Sequence, residues 1–189
     1  MATTYGRTAP TTSGMATEAR SQAATRAAST PAGIVWGITR ISVGFVFLWA
    51  FLDKLFGLGF ATPAAKSWLN GGSPTAGFLM GSSDGPMGGL FSALSGQAWV
   101  DWLFMLGLLG IGSALMLGIG MRIAAASGTV MLLMMYAAVM PVTSNPFLDQ
   151  HLIYAMVLIG LALGLAGDTL GLGKWWASTS LVKRFPVLR

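Results

Sequence analysis

The sequence predicts an all-α integral membrane protein: a four-helix bundle with both termini cytoplasmic and a long external loop between helices 1 and 2. Three observations predict it. Only 17 of 189 residues are charged, 11 Lys or Arg and 6 Asp or Glu. That is 9%, against roughly 25% in a soluble domain. Hydrophobic residues make up 54% and the mean hydropathy is +0.69. Between residues 102 and 167 the only formal charges are Arg122 and Asp149. So few charges cannot cover the surface of a dispersed soluble domain.

The first 30 residues are Thr-, Ala- and Ser-rich, with Arg7, Arg20 and Arg26 scattered among them. They lack the apolar surface to offset ordering entropy and read as a disordered cytoplasmic tail. No short apolar core with a small-residue cleavage site follows, so the tail does not read as a signal peptide. A membrane domain is expected over residues 31–173. A span needs about 20 apolar residues to cross about 30 Å of hydrocarbon. Segments 34–56, 99–119, 123–142 and 152–170 qualify. The loop 57–98 is rich in Gly, Ser and Pro but contains apolar clusters, and is expected to form short helical turns on the outer interface. Within it, Ser73-Pro74 has the pattern of a helix cap followed by Pro at the first helical position. Residues 174–189 form a basic interfacial tail whose Trp175 and Trp176 suit the inner headgroups.

Orientation follows from the basic residues. The N-terminal tail, the turn at Arg122 and the C-terminal Lys174, Lys183, Arg184 and Arg189 mark the cytoplasmic side. Four of the six acids, Asp53, Asp84, Asp101 and Asp149, fall on the external side. The net charge of +5 is therefore first a topology signal. Spread over two tails and a turn, it does not make a nucleic-acid surface. The bilayer is the expected partner and the plasma membrane the expected location.

Helices in lipid associate through close backbone approach. Gly110, Ala114 and Gly118 form a small-residue stripe on the second span. Gly160 and Gly164 form a shorter one on the fourth, and Gly33 and Gly37 one at the start of the first. Packing explains all three, and a second copy of the chain is as good a partner as another span.

The absence of Cys removes thiol nucleophiles, disulfides, Fe–S clusters and thiolate metal sites. A single His leaves no poly-His metal site, and none of any kind is expected. Met131, Met134 and Met135 have the softness for Cu(I), but their spacing is that of an ordinary apolar stripe. Charged groups at membrane depth remain the functional candidates. Asp53 and Lys54 close the first span, Asp101 opens the second, and Asn145, Asp149 and His151 precede or open the fourth. Tyr154 shares a face with His151, Trp49 shares one with Asp53, and Tyr136 lies in the outer half of the third span. All could surround one pocket near the outer leaflet. Each also has a plainer role: Asp101 complements a helix dipole, Asp149 caps a helix, Lys54 snorkels to headgroups, and His151 sits in a polar belt. At the inner end, Arg40 and Asp168 are expected to form a structural ion pair.

The first-span sequence from Arg40 through Gly44 and Trp49 to Asp53-Lys54-Leu55-Phe56 resembles the opening signature of the DoxX/DoxD-like membrane proteins. The segment Asn145-Pro146-Phe147-Leu148-Asp149-Gln150-His151 with Tyr154 is similar to the polar opening of their last helix. The turn Gly120-Met121-Arg122 is similar to theirs as well. The likeness covers residues 34–173. It implies a four-helix membrane bundle that anchors or partners a sulfur- or quinone-linked redox system. DoxD is the membrane subunit of thiosulfate:quinone oxidoreductase, so a quinone is the cofactor the resemblance allows. No segment resembles that enzyme's separate soluble partner. An alternative is a quinone-binding oxidoreductase subunit. There His151 and Tyr154 would bond the quinone oxygens, Asp149 or Asp53 would pass protons, and Lys54 would attract an anionic donor such as thiosulfate. A further alternative is small-molecule permeation, for which the chain lacks an evident repeat.

Overall fold

The structure is a computed structural model that describes residues 30–82, 85–142, 145 and 147–189. The expected disordered tail with its three arginines, and Asp84, fall outside those residues, Thr30 excepted. The described residues are helical, with no strand among them.

Helix α1, Pro31–Phe56, starts where Thr30 Oγ1 accepts the Gly33 N–H at 3.1 Å and Pro31 occupies the first position. It ends at Gly57, whose φ of 69° lets its N–H return to the Asp53 carbonyl. The loop after it folds into two 3₁₀ turns, Ala64–Lys66 and Trp68–Asn70, and two short helices, α2 (Ala76–Met80) and α3 (Gly88–Leu94). Ser73 Oγ accepts the Ala76 N–H at 3.1 Å, so it does cap, although the regular helix begins only at Ala76. Then come α4 (Ala98–Leu117), α5 (Met121–Ala138) and α6 (Gln150–Leu163). A 3₁₀ turn at Ala166–Asp168, helices α7 (Gly173–Ser178) and α8 (Ser180–Arg184), and a last 3₁₀ turn at Pro186–Leu188 finish the chain.

Three helices, α1, α4 and α5, are long and apolar enough to cross a membrane. The expected third span stops early, at Ala138 rather than 142. Pro141 cannot donate a backbone hydrogen bond and disfavours helix at Met140. The expected fourth span also differs. As α-helix it is 14 residues long, about 21 Å at 1.5 Å per residue. It breaks at Gly164, and Leu165 takes a left-handed φ of 52°. The break has a packing reason. It brings Gly167 so close to the α4 terminus that a Cβ there would meet the Gly118 carbonyl oxygen at 2.5 Å.

The main core lies where α1 packs on α4, α6 packs on α5, and α4 meets α5. Phe47, Met105, Leu115, Leu158 and Leu161 are buried in it. The glycines that set the α1–α4 approach are Gly44 and Gly112. A Cβ on Gly44 would lie 2.9 Å from the Met116 nitrogen, and one on Gly112 would lie 2.8 Å from the Leu48 nitrogen. The glycines of the anticipated stripe behave differently: Gly110 faces open space, whereas Gly118 approaches Gly167 and Arg40 closely. Sequence spacing marks small residues on one face without saying which face meets a neighbour.

The end of the helices where α4 meets α5 is held by Arg40, which is 0% exposed. Its guanidinium donates to the carbonyls of Leu115 and Met116 at the end of α4, and to those of Thr169 and Leu170 after α6. The expected Arg40–Asp168 ion pair is therefore not formed. Asp168 pairs instead with Arg189 at 2.9 Å. Helix-end carbonyls carry partial negative charge and lack intrahelical donors. A five-donor fork satisfies several of them at once, which one carboxylate would not do. The C-terminal segment is tied to the same end. The Arg122 N–H donates to the Arg189 carbonyl at 2.9 Å, and Trp176 Nε1 donates to the Leu188 carbonyl at 2.6 Å.

Candidate functional site

The opposite end of the helices carries the residues singled out from the sequence, and it groups them into separate clusters. Asp53, 1% exposed, accepts the backbone N–H groups of Phe60 at 3.2 Å and Ala61 at 3.0 Å. Its carboxylate thereby holds the chain as it leaves α1. Trp49, one turn earlier, packs edge-on against Phe60 with ring centroids 5.1 Å apart. This cluster is a brace for the first turn of the loop.

Asp101 is buried in the first turn of α4. Its Oδ1 accepts the Ser73 hydroxyl at 2.9 Å, the Thr75 hydroxyl at 2.6 Å and the Thr75 N–H at 3.1 Å. Sequence reasoning read Ser73 only as a helix cap, not as a partner of Asp101, and missed Thr75. The available signal was the Ser-Pro-Thr cluster ahead of α2, which places two hydroxyls and a free N–H together.

Asp149 caps α6, its Oδ1 accepting the N–H groups of His151 at 2.9 Å and Leu152 at 3.3 Å. Its Oδ2 lies 2.5 Å from His151 Nδ1. Burial raises the Asp149 pKa, but the hydrogen bond and charge of His151 and the two backbone N–H groups outweigh it, leaving the carboxyl below its ordinary value. Asn145 Oδ1 accepts the N–H groups of Phe147 and Leu148, both at 3.0 Å, and the Tyr136 hydroxyl donates to the Phe147 carbonyl at 3.0 Å. Asn145, Asp149, His151 and Tyr136 thus belong to one construction, the turn into α6. Tyr154 is half-buried against the main core.

Lys54 stands apart. It lines a partly open cavity of about 590 Å³ bounded by α2, α3, α4 and α5, with Phe78, Phe91, Trp99 and Met131 among its apolar walls. Of the nine residues proposed for catalysis or binding, Lys54 alone lines it. The single shared pocket expected from helix order is thus not assembled around this cavity. Each of the three acids finds its donors within its own turn or in the adjacent loop.

Comparisons with protein families, curated proteins and solved structures give no match to this chain. Among the described residues the fold is helical, with three helices long and apolar enough to cross a bilayer.

Proposed function

We propose that the chain is a multi-pass plasma-membrane protein of the DoxX/DoxD-like kind that serves as a membrane anchor or partner subunit of a sulfur- or quinone-linked redox system. In this reading α1, α4, α5 and α6 all cross, with both termini cytoplasmic and the 57–97 loop external. Helix α6 alone covers about 21 Å, and the chain beyond its break at Gly164 supplies the rest of the crossing. Its outward row of Ile153, Met156, Ile159 and Leu163 is exposed and apolar, as a lipid-facing surface requires.

One observation carries the preference for a partner over a catalyst. Asp53, Asp101 and Asp149, the acids available for proton transfer, are each engaged by two or three donors that fold the external end. An acid held as an acceptor by its own turn is a brace. The external surface is then a built platform on which a soluble redox protein can sit.

The chain has no Cys, so single cysteines test topology directly. Asn70→Cys should label with an impermeant maleimide in intact cells, and Lys174→Cys only after permeabilisation. Function is tested by purifying the chain with its native neighbours in mild detergent. The expected result is thiosulfate- or sulfide-dependent quinone reduction by the complex and none by the chain alone. Activity in the isolated chain, lost in His151→Ala, would establish the second reading instead, a quinone-binding oxidoreductase. That reading is favoured by the 2.5 Å contact between Asp149 and His151, which can relay a proton. A chain that co-purifies with no redox protein and shows no activity overturns both.

A further inference from the structure

Lys54 ends α1 at the external end, and its side chain lines the cavity under the loop helices. It takes no hydrogen bond or ion pair from any described residue. Neither neighbouring acid lines that cavity, Asp53 and Asp101 being turned to the donors described above. Apart from Lys54, the lining is apolar except for the hydroxyls of Thr75 and Ser127 and the indole N–H of Trp99. The one acid whose charge acts on Lys54 is Asp53, and both its carboxylate oxygens are committed to the Phe60 and Ala61 N–H groups, so a lysine lining an apolar cavity is left able to take an anion.

The shape of the cavity says what kind of anion. On α5 its lining runs from Ala138, near the external end, to Ala126. Twelve residues at 1.5 Å span about 18 Å, a little more than one leaflet of a hydrocarbon core about 30 Å thick. Several wall residues, Trp99, Leu103, Val130 and Met134, are also exposed on the outside of the helices. The cavity is thus a groove open sideways to the bilayer, one leaflet deep, with a positive charge at its headgroup end. A small soluble anion would leave the apolar length empty, and a neutral lipid would bring the ammonium no partner beyond Asp53, whose oxygens are already taken.

We propose that this groove binds one anionic phospholipid of the external leaflet, its phosphate at Lys54 and one acyl chain between α4 and α5. This goes beyond the partner-subunit reading and rests only on the membrane topology stated with it. The bound lipid fills the gap that the loop helices leave beside the core, and it gives the external platform a fixed negative group beside α2.

The test is native mass spectrometry of the full chain purified in detergent and exchanged against equal amounts of phosphatidylglycerol and phosphatidylcholine. Wild type should retain one phosphatidylglycerol with about fivefold preference, the attraction of one basic residue, about 1 kcal/mol. Lys54→Gln should lose the preference and Lys54→Arg should keep it. Val130→Trp, which fills the groove while leaving Lys54 in place, should lose the bound lipid of either kind. Three results overturn the proposal: unchanged preference in Lys54→Gln, unchanged retention in Val130→Trp, or retention of a neutral quinone or phosphatidylcholine in place of the anionic lipid. Redox activity of the purified complex is a separate readout, so failure of the lipid site and failure of the partner reading are told apart.

Discussion

Replacing Arg40 should cost more stability than any other substitution of a charged residue in this chain. Its side chain is the largest of those fully buried, and it bonds four carbonyls on two segments. The Leu115 and Met116 carbonyls end α4 and receive no backbone N–H among the described residues. Leaving a buried acceptor bare costs about 1–3 kcal/mol. Two bare acceptors give about 2–6 kcal/mol, to which Arg40→Ala adds a void, while relief from burying a charge subtracts part. The expected net loss is about 3–5 kcal/mol. Arg40→Lys keeps the charge but not the planar fork. It reaches one segment at a time and should lose about 1–2 kcal/mol, since at least one charged hydrogen bond goes. The assay is unfolding free energy from SDS titration in mixed micelles, with Thr39→Ala as a control on the exposed face of α1. If both Arg40 variants fall within about 0.5 kcal/mol of wild type, the size of an ordinary surface change, the carbonyl staple is not what holds the inner end.

The other predictions concern packing and the external turns. Gly44→Leu and Gly112→Leu should each destabilise by about 1–3 kcal/mol through forced separation of α1 and α4, whereas Gly110→Ala should be neutral or stabilising, read by the same titration. Asp101→Ala should free the Ser73 and Thr75 donors and open the loop, seen as faster cleavage within residues 57–97 by protease added to intact cells, while Asp101→Asn should be intermediate. The Asp149 carboxyl titrates below its ordinary value of 3.8. Its contribution is therefore complete above that value and lost as pH falls through the lowered one. Asp149→Asn should flatten that acid limb in a stability–pH profile; an unchanged limb would show that the cap is not its source.

Much of the fold was legible because membrane spans are read from long-range composition. Segment 34–56 emerged as α1 with its Phe56 end intact, since an apolar run followed by Gly needs no tertiary information to end there. The ends at Ala138 and Leu163 were less legible. Pro141 is visible in the sequence, but the break at Gly164 depends on Gly167 reaching the end of α4. The candidate site was legible as a set of polar residues at one end. It was not legible as geometry, because each acid could be satisfied either by a distant helix or by its own turn.

The sequence by itself determined the apolar character of this protein's helices. Seventeen charges in 189 residues leave long apolar runs, and three of the resulting helices are long and apolar enough to cross a bilayer. The tertiary structure alone decided who pairs with whom. Arg40 takes helix-end carbonyls and leaves Asp168 to Arg189, Asp53 and Asp101 close onto the loop, and Lys54 is left facing an apolar groove. The reason is physical: burial from water follows from composition summed over many residues, whereas a hydrogen bond needs two atoms within about 3 Å, which only the assembled chain can arrange.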